Sequence, residues 1–258
     1  MISSSDNKQV KNVIQLISSS KARKKQGLFV VEGIRMIQET PLDRIEAVYI
    51  SSSYEEDYLK HPMSQNCVYE VVEDKIFQKM SDTQTPQGIL AIVQKRTYTI
   101  QDILNSRTAG CILILDGIQD PGNLGTMIRT GEGAGISGVI LSKDTADLYN
   151  PKTIRSTMGS IYRVPHVISE SLMETVEELK QQGVYVVATH LRGKKEYQEL
   201  EYSGLTGILI GNEGNGLSEE LADSADELVR IPMEGSVESL NAAIAAALFM
   251  YEIKRKRK

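Results

Sequence analysis

The chain has 258 residues, 41% of them hydrophobic, and a formal net charge of −5. The apolar content suffices for one large core or two modest ones. The net charge excludes a bulk positive field that gathers polyanions, although local charge distribution counts for more than the sum. The cysteines Cys67 and Cys111 and the histidines His61, His166 and His190 are scattered, so no spacing suits a zinc site or a disulfide framework. That pattern predicts a reducing compartment and no metal. The opening "MISSSDNKQVKN" is too polar for a secretory signal, and the run "AAIAAALFMY" at 242–251 is about half the ~20 residues of a membrane span. A soluble, cytoplasmic protein with no membrane partner is expected.

In the first 25 residues, Lys8, Lys11, Lys21, Arg23, Lys24 and Lys25 face only Asp6. Within this stretch "SSSKARKKQG" is a candidate for phosphate contact through Arg23, Lys24 and Lys25, the alternative being a solvated basic segment. Residues 6–20 read as a helix, "LFVVEG" as a strand, 33–40 as a helix and "IEAVYI" as a strand. A helix near 54–60, strand "CVYEVV", helix 73–81 and strand "GILAIV" follow. This alternation predicts a small α/β domain over 1–97. A polar linker with one possible helix in it is expected over 98–109.

A second domain is expected over 110–258, with strands "CILIL", "SGVILS", "RVPHV", "VYVVAT", "GILIGN" and "ELVRIP". Helices are predicted at 123–134, 150–159, 171–182, 217–223 and 239–254. Short, continuously apolar strands indicate burial on both faces, as in a parallel sheet. Ligands of such sheets bind beyond the carboxyl ends of the strands. The closing "KRKRK" reads as a solvated, fraying tail.

Three segments that follow strands carry the chemistry. In "LDGIQDPGNLGTMIRTGEGAG", 115–135, Leu124, Met127, Ile128, Gly131 and Ala134 share a sheet-facing side at ~100° per residue. Gly125, Arg129 and Gly133 fall on the opposite side at i, i+4, i+8. Each helical glycine costs roughly 1 kcal/mol against alanine, and the spacing suggests a ridge cleared around one guanidinium. The alternative is an ordinary solvated arginine. In "NEGNGL", Gly211, Gly214 and Gly216 surround Glu213 and permit close backbone approach, or else make only a tight turn capped near Ser218. The order is not the G-x-G-x-x-G of dinucleotide sites, which argues against a nucleotide-dependent oxidoreductase. In "PMEGSVESLNAAIAAALFMYEI", Leu240, Ile244, Leu248 and Tyr251 read as a core stripe, with Ala243, Ala247 and Met250 beside it. Ser239 is either functional or simply an N-cap.

The motifs "NLGTMIRTGEGAG", "LIGNEGNGL" and "IPMEGSVESLNAAIAAAL", in that order, resemble the SpoU-type RNA ribose 2′-O-methyltransferases of the SPOUT superfamily. "NPKTIRSTMGSIYRVP" and "ATHLRGKKEY" are smaller matches. "KARKKQGLFVVEGIRMIQE" and "DTQTPQGILAIV" resemble that family's N-terminal RNA-substrate-binding domain, so the likeness covers nearly the whole chain. It implies an α/β architecture: a parallel-sheet SPOUT domain with a trefoil knot, preceded by a small α/β RNA-binding domain. It also implies S-adenosylmethionine as cofactor, contacted at Thr189, Gly211, Ile231, Met233 and Leu240. Residues of catalytic weight fall at Asn123, Arg129, Glu213, Ser239 and Asn241, and Arg155 joins Arg23, Lys24 and Lys25 as a candidate RNA contact. The family works as a homodimer through its knot region, and ribosomal RNA is the favoured substrate over transfer RNA. Gly131 and Gly133 stand where many relatives carry larger small residues, which implies looser packing there.

A ribose hydroxyl is a poor nucleophile near neutrality, so catalysis must align oxygen, methyl and sulfur and stabilise a developing alkoxide. Arg129 suits oxyanion or phosphate contact because its planar fork donates several hydrogen bonds, and a guanidinium with pKa above ~12 is an improbable base. Glu213 is the one residue of the set able to accept a proton outright. A catalytically idle RNA-binding protein is the competing reading.

Overall fold

The computed structural model describes residues 1–106, 110–202, 204–237 and 239–257. It divides into two compact units, Met1–Arg96 with Tyr149–Tyr162, and Thr97–Leu148 with Arg163–Lys258.

The first unit contains α1 (Lys8–Ser18), α2 (Ser20–Gln26), β1 (Leu28–Glu32), α3 (Ile34–Gln38), β2 (Ile45–Ser51), α4 (Glu55–Leu59), β3 (Tyr69–Val72), α5 (Asp74–Met80) and β4 (Ile89–Gln94). The strands form one sheet in the order β1-β4-β2-β3, in which only β2 and β3 are parallel. Helix α1 buries Val10, Val13 and Leu16 in a core shared with Phe77, Met80, Leu90 and Ile92. Its polar remainder faces water, which is how an amphipathic helix covers one side of a sheet.

Two features of this unit depart from the sequence reading. The basic stretch after α1 is a second helix, because Ser19 adopts an extended conformation and its hydroxyl accepts from Ala22 N–H to start α2. Gly27, at φ 67°, ends it in the left-handed region. Residues Tyr149–Tyr162, expected in the second domain, also pack here. They carry α8 (Pro151–Thr157), capped by Asn150. The ring of Tyr149 lies 4.8 Å from that of Phe29 and beneath the Lys95 ammonium, and the buried Tyr162 hydroxyl accepts from Thr40 at 2.8 Å. Burial pushes the Tyr162 phenol up to about 12.

The second unit begins with α6 (Ile100–Leu104), which lies inside the expected linker, and continues with β5 (Cys111–Leu115), α7 (Pro121–Ala134) and β6 (Gly138–Ser142). After α8 the chain returns as β7 (His166–Ser169), α9 (Leu172–Gln181), β8 (Tyr185–Thr189), β9 (Lys195–Glu196), β10 (Thr206–Ile210), α10 (Glu219–Asp223), β11 (Glu227–Arg230) and α11 (Ala242–Lys256). All strand pairs are parallel, in the order β7-β6-β5-β10-β8-β11-β9. The central strands β5 and β10 are buried throughout, as their unbroken apolar runs require. From β5 the chain first builds outward through β6 and β7, then crosses to β8 and β9 on the other side, and finally returns to insert β10 between β5 and β8 and β11 between β8 and β9. The order therefore reverses between β5 and β10, and a ligand crevice is expected beyond the carboxyl ends there.

Helices α7 and α11 pack on each other; this contact bears on Gly133 of α7, whereas Gly131 is crowded by Ile136 just beyond the helix. A Cβ on Gly131 would meet Ile136 Cδ1 at 2.4 Å and Met250 Sδ at 3.5 Å, so packing at that position is tight, contrary to the implied looseness. A Cβ on Gly133 would lie 3.2 Å from the Tyr251 hydroxyl, and the Gly133 carbonyl accepts from Lys254. Gly125, one turn ahead of Arg129 on the same helix, is itself buried, as are Leu124 and Met127. Gly131 and Gly133 thus sit in close packing, and the exposed part of the ridge expected from the sequence is Arg129 with Gly133.

Helix α11 is rotated from the expected face. It buries Ala242, Ala243, Ala246, Phe249, Met250 and Ile253, while Ile244 and Tyr251 are 53% and 48% exposed. Nor does its basic end fray over the described residues. Lys254 binds the Gly133 carbonyl, Arg255 pairs with Glu252, and Lys256 binds the Leu200 carbonyl.

Candidate active site

A cavity of about 360 Å³ opens at the carboxyl ends of β8, β10 and β11. All five residues assigned to the cofactor, Thr189, Gly211, Ile231, Met233 and Leu240, line it, as do Glu213 and Ser239. Its floor is the loop from Gly211 to Leu217. There Asn212 N–H donates to the Gly216 carbonyl at 3.1 Å and Gly216 N–H returns a bond at 2.9 Å. The backbones come so close that a Cβ on Gly211 would sit 2.2 Å from the Gly216 carbonyl carbon. Gly211→Ala is therefore expected to force the loop open, lowering stability by about 1–3 kcal/mol. Ligand affinity should fall with it, which thermal unfolding and calorimetric titration will measure.

Asn123, Glu213 and Asn241 are joined although they come from three segments. Asp120 caps α7 by accepting from Asn123 N–H, with Pro121 at the first helical position. The Asn123 amide donates to Glu213 Oε1 at 2.9 Å, and Asn241 Nδ2 donates to Asn123 Oδ1 at 3.0 Å. The carbonyl of the Asn241 side chain caps α11 through Ala243 and Ile244 N–H. The N-cap of α11 is therefore Asn241, not Ser239.

The Glu213 carboxylate also accepts from the backbone N–H groups of Gln119 (3.0 Å) and Asp120 (3.3 Å), just ahead of α7. Burial alone would push this carboxyl up. The Gln119 N–H, the Asn123 amide and the Asp120 N–H outweigh it and hold the group below the usual carboxylate range. Glu213 is thus held as an ionised carboxylate by three donors that occupy both of its oxygens. At the cavity rim the His190 backbone binds the Val229 carbonyl, and Arg192 joins Glu219 and Asp223 in ion pairs.

Arg129 is exposed, no hydrogen bond or ion pair holds it among the described residues, and it does not line the cavity. It lies six residues beyond Asn123, about 9 Å along the helix axis. The candidate RNA contacts separate. Lys24 and Lys25 are exposed on α2, whereas Arg23 is only 3% exposed and its guanidinium donates to the Leu16 and Ile17 carbonyls at the end of α1. Arg155 pairs with Asp82 at 2.8 Å. Arg23 is thus corrected from an RNA contact to a helix-end cap. Arg23→Ala is expected to destabilise the chain by about 1.5–3 kcal/mol, the worth of charged hydrogen bonds to buried carbonyls, whereas Lys24→Ala should leave the unfolding midpoint unchanged. Sequence reasoning missed Gln119 and Asp120, which act on Glu213 through backbone N–H groups, and Asn212, whose side chain binds a carbonyl 95 residues away.

Comparison with known proteins matches residues 110–251 to the SpoU rRNA Methylase family and residues 7–91 to the MRM3-like substrate binding domain. The chain is 34% identical over 253 residues to the 23S rRNA (guanosine(2553)-2′-O)-methyltransferase RlmP of Bacillus subtilis, covering 98% of each. An AdoMet-bound rRNA methyltransferase from Sinorhizobium meliloti superposes with a TM-score of 0.85 at 32% identity, over 98% of this chain and 97% of that one. The SpoU methyltransferase AviRb from Streptomyces viridochromogenes, in complex with AdoMet, gives 0.86 at 27% identity, over 97% and 98%. Its parallel sheet, its smaller N-terminal α/β unit and these matches along its length establish that the chain belongs to the SpoU rRNA methylase family.

Proposed function

We propose that this protein transfers a methyl group from S-adenosylmethionine to a ribose 2′-hydroxyl of ribosomal RNA, in the cytoplasm. The observation that carries the reading is the cavity itself, which gathers every residue assigned to the cofactor and abuts the Asn241–Asn123–Glu213 network. Its volume lies within the roughly 300–1,000 Å³ of small-molecule sites. Its walls offer backbone polar groups beside the apolar Ile210, Leu217, Ile231, Met233 and Leu240, a donor set that suits an adenosyl group. When bound, S-adenosylmethionine supplies an electrophilic methyl on a positively charged sulfur.

The protein's own residues supply position and charge. Glu213, fixed by its donors, sets the distance between the cavity floor and Asn123. Ser239 stands at the cavity edge, free of the capping duty that Asn241 takes, and can contact the sugar. Arg129 stabilises the developing oxyanion and a neighbouring phosphate through its planar fork. Because Arg129 stands off the cavity of its own chain, the reading includes a homodimer in which it completes the site of the second copy. The exposed apolar Ile244 and Tyr251 of α11, on the helix packed against α7, support that face as the contact. Threading of the C-terminal segment into a trefoil knot belongs to the same proposal. Ribosomal RNA is favoured over transfer RNA because the likeness to RlmP spans the N-terminal unit as well.

The test is incubation with labelled S-adenosylmethionine and undermodified total RNA, followed by alkaline hydrolysis. A 2′-O-methyl group blocks the internal attack that cleaves RNA, so one labelled alkali-resistant dinucleotide is expected. Tight, salt-dependent RNA binding without S-adenosylmethionine binding would favour the idle RNA-binding protein instead.

A further inference from the structure

We infer that Asn212 is a positioning residue for methyl transfer, acting as the tether that sets Glu213 against the start of α7. Every polar group of Asn212 is engaged. Its backbone N–H and carbonyl close the loop on Gly216. Its Oδ1 accepts from Gly214 N–H at 2.8 Å and Asn215 N–H at 3.1 Å, which shapes the cavity floor. Its Nδ2 donates to the Gly117 carbonyl at 2.6 Å, across 95 residues of sequence.

Gly117 is a junction. Its N–H donates to Ser142 Oγ at 2.8 Å, and its carbonyl accepts a second bond from Gln119 Nε2 at 2.9 Å. At φ 63° it makes the turn that leads to Gln119 and Asp120, whose N–H groups hold the Glu213 carboxylate. A Cβ at Gly117 would lie 3.8 Å from Asn212, in ordinary contact, so the positive φ rather than crowding calls for glycine here. The two segments therefore meet twice. Glu213 reaches from the loop to the turn through its carboxylate, and its neighbour Asn212 reaches through its amide. One such contact fixes a distance, whereas two from adjacent residues fix an orientation as well. Asn212 thereby ties the cofactor-side floor to the carboxylate and to the Asn123 side chain that it holds.

The kinetic consequence rests on the methyltransferase reading; the structural one does not. In Asn212→Ser the side-chain oxygen still accepts from the N–H two residues on, but it cannot span to Gly117. The expected result is an unfolding midpoint near wild type and lost hydrogen-exchange protection at Gln119 and Asp120. The kcat should fall by about 100-fold, the scale of a small misplacement, while RNA KM and S-adenosylmethionine affinity stay within about threefold. Asn212→Asp, isosteric but lacking the amide donor, should lose the same exchange protection and kcat, with a lowered unfolding midpoint because its carboxylate faces the Gly117 carbonyl. Wild-type kcat or unchanged protection in both variants would overturn the inference, as would a parallel fall in kcat, cofactor affinity and stability in Asn212→Ser. If the wild-type protein methylates no RNA, the methyltransferase reading fails, and the exchange measurement still decides whether Asn212 is the tether.

Discussion

Arg129→Ala is expected to reduce methyl transfer by about 10²–10³-fold or more, the scale of removing one donor aimed at a developing oxyanion. Cofactor affinity should change by no more than a few fold, because Arg129 is not among the residues lining the cavity. Stability should not change either, since the side chain is exposed and holds no partner among the described residues. Arg129→Lys should recover little, because an ammonium lacks the planar fork. Calorimetry with S-adenosylmethionine beside a transfer assay separates these effects, and equal loss of binding and turnover would make Arg129 structural. Mixing the Arg129→Ala chain with a Glu213→Gln chain goes further. If the guanidinium serves the second copy, mixed dimers carry one complete site each, and activity should return to about a quarter of wild type. No recovery would place Arg129 in the site of its own chain.

Glu213→Gln is expected to reduce kcat by about 100-fold or more, for a different reason. The carboxylate gathers three donors, the N–H groups of Gln119 and Asp120 and the Asn123 amide. A carboxamide offers one oxygen and turns an NH₂ group toward at least one of those donors, leaving it unsatisfied. Asn123 then loses its hold, and Asn241 with it. The pH dependence follows from the depressed carboxyl. A group whose pKa is lowered on folding contributes stability that is fully present above its unfolded pKa and is lost as the pH falls through the folded value. Between pH 6 and 9, about where rates are measured, Glu213 stays ionised. The wild-type kcat profile should therefore carry no limb from this residue. A limb near neutrality that disappears in Glu213→Gln would assign it the general-base role.

Much of the second unit was legible because its strands are unbroken runs of buried apolar residues, for which few other environments exist. "CILIL" became β5 as read, and "VYVVAT" became β8 from Tyr185 onward. The strand expected at "RVPHV" begins only at His166, since Pro165 has no N–H to offer the ladder. The final helix was misread in its face. An alanine-rich segment is apolar on every side, so periodicity alone does not say which stripe meets the sheet. Arg23 was misread because a basic run looks the same whether its guanidiniums meet phosphate or cap the preceding helix. The bend at Ser19 that turns Arg23 back onto Leu16 and Ile17 is set by one backbone conformation. The residues lining the cavity were read from the family likeness. The bonds that aim Glu213 were not, because they run through N–H groups and a turn whose partner lies more than ninety residues away.

The place of Tyr149–Tyr162 in the first unit bears on how the chain matures during synthesis. Translation delivers Met1–Arg96 early, yet Phe29 and Thr40 there await Tyr149 and Tyr162. Domains commonly fold in the order in which they leave the ribosome. Here the earlier-made unit is finished only after β5, α7 and β6 have emerged. A nascent chain stalled short of Tyr149 should therefore expose the Phe29 face to chaperones, and release of that face should coincide with the emergence of Tyr162.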